Sequence, residues 1–185
     1  MESGAPQLRA IAGGRDFTLR LGNVMLRPVT ADAMPFVADA LVREEDTFRV
    51  FGSSGGLHAV QQHPIRTFTD AYTTQALAVG SAVFEPGSPA NILAVIHDLD
   101  SSPSCETRWV QDATTAVMEL AEEHQLTNLC MPLLGTVHGR LLQSRALEIL
   151  HAALVKWRGS HPRRVALTVA AAELDDVRGW LMRQQ

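Results

Sequence analysis

Two short stretches carry the residue types that could do chemistry. The first, Gly52-Ser53-Ser54-Gly55-Gly56-Leu57-His58, places small residues and paired glycines just ahead of a helical pattern. The second, Leu133-Leu134-Gly135-Thr136-Val137-His138-Gly139, follows an apolar run and leads into another helical pattern. Backbone N–H groups at a helix start or in a nest are donors for phosphate oxygens, and glycine lets a ligand come close to them. Ser54, Gly55, Gly56, Leu57 and His58 in one loop, and Gly135, Thr136, Val137, His138 and Gly139 in the other, are therefore the candidate ligand-binding residues. The same stretches also read as plain strand-to-helix turns. The first is not a P-loop, because no Lys with a following Ser or Thr closes the glycine run.

Titratable groups are sparse in both loops. His58 and His138 stand one per loop, and an imidazole can meet a phosphate or act as a general base. Asp46 stands with Arg43, Glu44 and Glu45 in a charged run that can be read as a solvated polar stretch. His97-Asp98-Leu99-Asp100 suggests a metal, but no partner cluster accompanies it, and the acids read equally as caps for a helix beginning near Glu106. Cys105 and Cys130 lack the spacing of a zinc site, and Cys130, inside an apolar run, reads as core. Lys156 is the single lysine. The basic stretch from Lys156 to Arg164 has few aromatic residues and reads as solvated surface. These residues call for no metal and no cofactor.

The elements that must position the loops follow from periodicity. Alternation of Phe17, Leu19 and Leu21 predicts a strand over 17–24, and Pro28 and Pro35 mark the segment after it as a connection. Further strands are expected at 37–42, where a helix fits the periodicity nearly as well, and at 78–84, 92–97, 129–133 and 165–169. Helices are expected at 57–75, at 106–124 with Trp109, Val110, Ala113, Val117, Leu120 and Ala121 on one stripe, and at 140–157 with Leu142, Ala146, Ile149, Leu150, Ala153 and Leu154 buried. A short helix with Leu174, Val177 and Leu181 on one face follows. Strands alternating with helices give a three-layer α/β/α mixed sheet, with ligands expected beyond the carboxyl ends of the strands. Residues 1–14 read as a flexible arm and 15–185 as a single domain, a size that supports a sizeable core.

The composition, 46% hydrophobic and 19% charged, is that of a soluble globular protein. A net charge of -4 argues against a duplex nucleic-acid partner. No apolar run is long enough for a signal peptide or a membrane span, so no membrane partner and a cytoplasmic location are expected.

Over roughly 17–169 the chain resembles a macrodomain, the α/β/α module that binds ADP-ribose. Gly22-Asn23-Val24 stands for the family's Gly-Asp-Ile, and 39–46, Asp-Ala-Leu-Val-Arg-Glu-Glu-Asp, for its Asp-Ala-Ile-Val-Asn-Ala-Ala-Asn. Gly52 to Val60 stands for the first glycine loop, and 128–154 for the strand, second phosphate loop and helix that follow. The compact second loop resembles that of the terminal ADP-ribose glycohydrolases and the antitoxin macrodomains. The resemblance implies that Asn23, which reads equally as a turn residue after a strand, replaces an acid that accepts from the adenine amino group, and that Asp46 is a catalytic candidate near the distal ribose, where its carboxylate could accept from hydroxyl groups or activate water. It also implies a loss of glycohydrolase chemistry, since no lysine follows the first glycine loop and Gly139 stands where an assisting acid would.

Three functions compete on these grounds. The first is a module that binds ADP-ribose or a related adenine nucleotide, free or on an ADP-ribosylated macromolecule, without hydrolysing it. The second is an interaction domain whose pocket has lost its ligand, favoured by Val137 where the family keeps glycine, because a β-branched residue resists φ > 0. The third is an ADP-ribosyl hydrolase using Asp46 or His138.

Overall fold

The computed structural model describes residues 17–51 and 76–184. The predicted arm, the helix over 57–75, and Ser54, Gly55, Gly56, Leu57 and His58 lie outside the described residues.

Among the described residues, seven strands form one mixed sheet in the order β1-β2-β7-β6-β3-β5-β4. β2 (Val24–Val29), β7 (Arg164–Thr168), β6 (Asn128–Pro132), β3 (Ala40–Asp46) and β5 (Ala90–His97) run parallel. The edges are closed antiparallel by β1 (Leu19–Leu21) and β4 (Ala82–Glu85). Ile92, Leu93, Ala94, Val95 and Ile96 are buried in succession in β5, so both faces of the sheet are covered there. Helix α1 (Thr107–Glu123) packs on β5 and against α2 (Gln143–Lys156), and α3 (Leu174–Met182) packs on β2. Val110, Ala113, Val117 and Ala121 of α1 join Ala146, Leu147, Leu150 and Leu154 of α2 in one core with alternate residues of the strands.

The amino-terminal strand differs from expectation. The chain reverses at Gly22-Asn23, where Gly22 holds φ +57°, and the long strand is β2, straight through Pro28. Pro28 is tolerated for a local reason. The Met25 N–H donates to Arg163 on the β7 side, so by alternation Pro28 presents its nitrogen to the other side, where pairing with β1 has ended at Leu26. β3 is likewise displaced: Val37 is exposed, and the strand runs on through the charged residues to Asp46. Its start is pinned by Asp39, whose Oδ2 accepts from the N–H groups of Thr127 and Asn128 at 2.8 Å each. Gly80, at φ +83°, turns the chain ahead of β4. Leu142 is exposed because it caps α2 rather than lying inside it, and Cys130 is half-buried against Met34.

The register creates the site. β3 pairs with β5 along its whole length but with β6 only at Ala40 and Leu41. Beyond that point β3 and β6 part, and a cleft opens between their carboxyl ends.

Candidate functional site

The cleft has a volume of about 350 Å³ and is lined by Val42, Arg43, Glu44, Phe51, Pro132, Val137, His138 and Thr168. Arg43 is exposed in it while its neighbours Glu44, Glu45 and Asp46 are all buried. The stretch 43–46 is therefore no solvated run, and each acid has an internal task.

Glu44 crosses to the second loop. One carboxylate oxygen accepts from the N–H of Gly135 at 2.6 Å and of Val137 at 3.4 Å; the other accepts from the His138 N–H at 3.0 Å and meets His97 Nε2 at 3.2 Å. Burial works against the charged form, but the contact with His97 and the N–H bonds from Gly135 and His138 outweigh it, and the carboxyl ends below its ordinary range. The second loop is thus an anion-binding nest, and the anion in it is the protein's own.

Glu45 and Asp46 organise the turn that leads into the first loop. Asp46 is fully buried; Oδ1 accepts from Phe48 N–H at 2.7 Å, and Oδ2 from Val50 at 2.8 Å and Phe51 at 3.0 Å. A carboxylate so occupied and sealed is not free to activate water, which removes one catalytic candidate. Glu45 Oε1 accepts from Asp46 and Phe51 N–H groups, while Oε2 is buried without a partner among the described residues. Burial, with the adjacent Asp46, pushes the Glu45 carboxyl up to about 7.

An aromatic stack closes one side of the cleft. The Phe51 and His138 rings lie parallel with centroids 4.8 Å apart, and His97 meets Phe51 edge-on at 5.2 Å. His138 is the exposed imidazole of this group and His97 the buried one. Cys105 borders the second loop; burial and then the Glu44 and Glu106 carboxylates push its thiol up to about 11, so it is no thiolate nucleophile at neutral pH.

The loop glycines have structural duties. Gly135 holds φ +87°, and a Cβ there would meet Leu141 and Val110 side-chain atoms at 3.1 Å. A Cβ on Gly139 would sit 2.7 Å from Cys105 Sγ and from the Gly135 carbonyl oxygen. Thr136 turns its hydroxyl back onto the Leu133 carbonyl at 2.7 Å. Val137 is exposed and keeps φ out of the left-handed region, which falls instead to Gly135 and Arg140. The objection from its β-branch therefore lapses.

Asn23 is not part of this constellation. It lies at the amino end of the parallel strands, where its Nδ2 donates to the Gly159 carbonyl at 3.2 Å, while Gly135 and His138 lie beyond the carboxyl ends. The acid following the carboxyl end of β2 is Asp32, and Val29 is level with the cleft residue Thr168. Hydrogen bonds from Thr30 and from its own N–H lower the Asp32 carboxyl. No periodic signal in the sequence marks Arg43 and Glu44 as cleft residues. Among the described residues no three His, Cys, Asp or Glu are placed to share a metal ion, and Asp98 instead closes a turn onto Ser101. No helix among them is long and apolar enough to cross a membrane.

No protein-family profile and no curated protein matches the chain. Solved structures do. The Oceanobacillus iheyensis macrodomain with ADP is similar at TM-score 0.64 and 13% identity, covering 91% of this chain and 97% of that one. A point variant of it, solved with ADPR, is similar at TM-score 0.66 and 12% identity, again over 91% of this chain and 97% of that one. The macrodomain of Thermus aquaticus DarG is similar at TM-score 0.57 and 18% identity, over 79% and 99%.

Proposed function

We propose, on the premise that this chain has the macrodomain fold, that its cleft binds ADP-ribose or a related adenine nucleotide without hydrolysing it. The observation that carries the reading is the cleft itself. It opens where β3 and β6 part and presents the exposed cation Arg43 beside the Phe51–His138 stack, in a fold whose other members were solved with ADP and ADPR. Arg43 suits a phosphate, and the aromatic and apolar walls suit the uncharged body of a nucleotide. Asp32, at the end of β2, takes the place that Asn23 vacates as an acceptor for the adenine amino group.

The absence of turnover rests on what each candidate group is already doing. Asp46 is held by three N–H groups, the Cys105 thiol stays protonated, and Lys156 ends α2 beside the β1–β2 turn, away from the cleft. His138 is exposed in the cleft, with its ring stacked on Phe51. A macromolecule carrying ADP-ribose would use the same cleft, and the compact second loop supports a likeness to the glycohydrolase and antitoxin branch.

The test is thermal unfolding with ADP-ribose, AMP and NAD, with release of ADP-ribose from a modified protein and a modified DNA followed in parallel. A ligand at 100 times its dissociation constant adds about 2.7 kcal/mol of stability. Stabilisation by ADP-ribose with no release supports the reading, and release abolished by His138→Ala with binding intact replaces it with a hydrolase. One observation favours the ligand-free interaction domain instead: Glu44 already fills the donors of the second loop. That reading predicts no stabilisation by any nucleotide.

A further inference from the structure

We infer that Glu44 is a built-in anion occupying the phosphate seat of the second loop, so that a phosphate-bearing ligand gains this loop only by displacing the Glu44 carboxylate. The inference deepens the nucleotide-binding reading and rests on it for the identity of the ligand, but not for the nature of the seat.

The seat is defined by its donors. Gly135, Val137 and His138 direct their N–H groups at one carboxylate, and the left-handed turn at Gly135 makes them converge. Successive N–H groups in such a turn form an anion-binding concavity. The occupant arrives from a strand 91 residues earlier in the chain, so it is no local product of the turn. Its side chain is 2% exposed, and its remaining contact, His97, is 1% exposed. A phosphate oxygen and a carboxylate oxygen ask for the same donors, and both groups are anions, so the two cannot share the seat. Glu44 also lines the open cleft, which gives an external anion a route to the loop it holds. Arg43, one residue earlier and exposed, offers a cation to a ligand that arrives while the seat is full. The carboxylate therefore sets specificity: it lowers affinity for a diphosphate spanning the loop relative to a ligand whose charge reaches Arg43 alone.

The test uses the full chain and its Glu44→Ala variant, followed by thermal unfolding with acetate, formate, pyrophosphate and ADP-ribose as probes. An emptied seat should take a small carboxylate from solution. Acetate and pyrophosphate are expected to raise the unfolding temperature of Glu44→Ala in a saturable way and to leave the parent unmoved. ADP-ribose is expected to bind the variant about tenfold or more tightly than the parent, the effect of freeing one charge-assisted seat. Saturating acetate should reduce that gain. Should the variant fail to fold in plain buffer, the expectation is recovery of native circular dichroism on refolding in acetate or pyrophosphate. A variant that is folded yet indifferent to acetate and pyrophosphate, or one that no small anion rescues, overturns the inference. A parent that binds no ADP-ribose while the variant responds to acetate and pyrophosphate upholds the seat and refutes the nucleotide reading, so the two failures are distinguishable.

Discussion

Replacing Glu45 with glutamine should make the protein more stable in alkali and leave it nearly unchanged in acid. Glu45 is fully buried beside Asp46 at the end of β3, and its carboxyl is pushed from an ordinary value of 4.5 up to about 7, first by burial and then by that neighbour. A carboxyl raised on folding contributes stability that is fully present below about 4.5 and is lost as pH rises through about 7. At roughly 1.4 kcal/mol per pH unit, the span corresponds to a loss on the order of 3 kcal/mol by pH 8. Glutamine keeps the Oε1 acceptor that receives the Asp46 and Phe51 N–H groups, and its amide nitrogen stands where the unpartnered Oε2 is. It has no charge to bury at any pH. Urea unfolding of parent and Glu45→Gln at pH 5 and pH 8 checks this: the variant should match the parent to within about 1 kcal/mol at pH 5 and exceed it by about 2–3 kcal/mol at pH 8. Because the opposite pH dependence from Glu44 is common to both proteins, it cancels in the difference. A difference that is the same at both pH values would refute the reasoning.

Arg43→Ala should weaken ADP-ribose binding by about tenfold or more, measured by titration calorimetry, at little cost in stability because the side chain is exposed; Asn23→Ala, at the opposite end of the sheet, should leave affinity unchanged. Gly135→Ala should cost about 1–3 kcal/mol in urea unfolding from its φ of +87° and its tight approach to Leu141 and Val110, so any lost binding in that variant reports the fold as much as the ligand; an undiminished stability would contradict the loop geometry. Val137→Gly should change stability by less than about 1 kcal/mol, since the side chain is exposed and its backbone is ordinary.

What the sequence made legible follows from where its signals are periodic. β5, β6, β7, α1 and α2 fall within a few residues of their expected bounds because apolar residues recur there at sheet or helix spacing. β2 was hidden by Pro28, whose missing N–H harms a strand only when it faces a partner, and here it does not. Of the two readings open for Asn23, the structure has the turn residue: it sits in the reversal at Gly22-Asn23, at the amino end of the parallel strands. The end of β3 was disguised by its charges. A solvated run stayed open as a reading of Glu44, Glu45 and Asp46 because their partners include backbone N–H groups, and no residue type announces that an acid will accept from a loop far along the chain. The second loop was legible as a nest from Gly135; that its anion is internal was not.

The central claim, that the cleft at the parting of β3 and β6 holds an adenine nucleotide, is tested most directly by following backbone amide resonances while ADP-ribose is added. The account predicts saturable shifts at Arg43, Phe51, Val137 and His138, unmoved signals at Asn23 and Gly159, and no change in the ligand's own spectrum that would report hydrolysis. No shift at ADP-ribose concentrations of about 1 mM, the weak end of specific binding, or shifts centred on the β1–β2 turn, would contradict it.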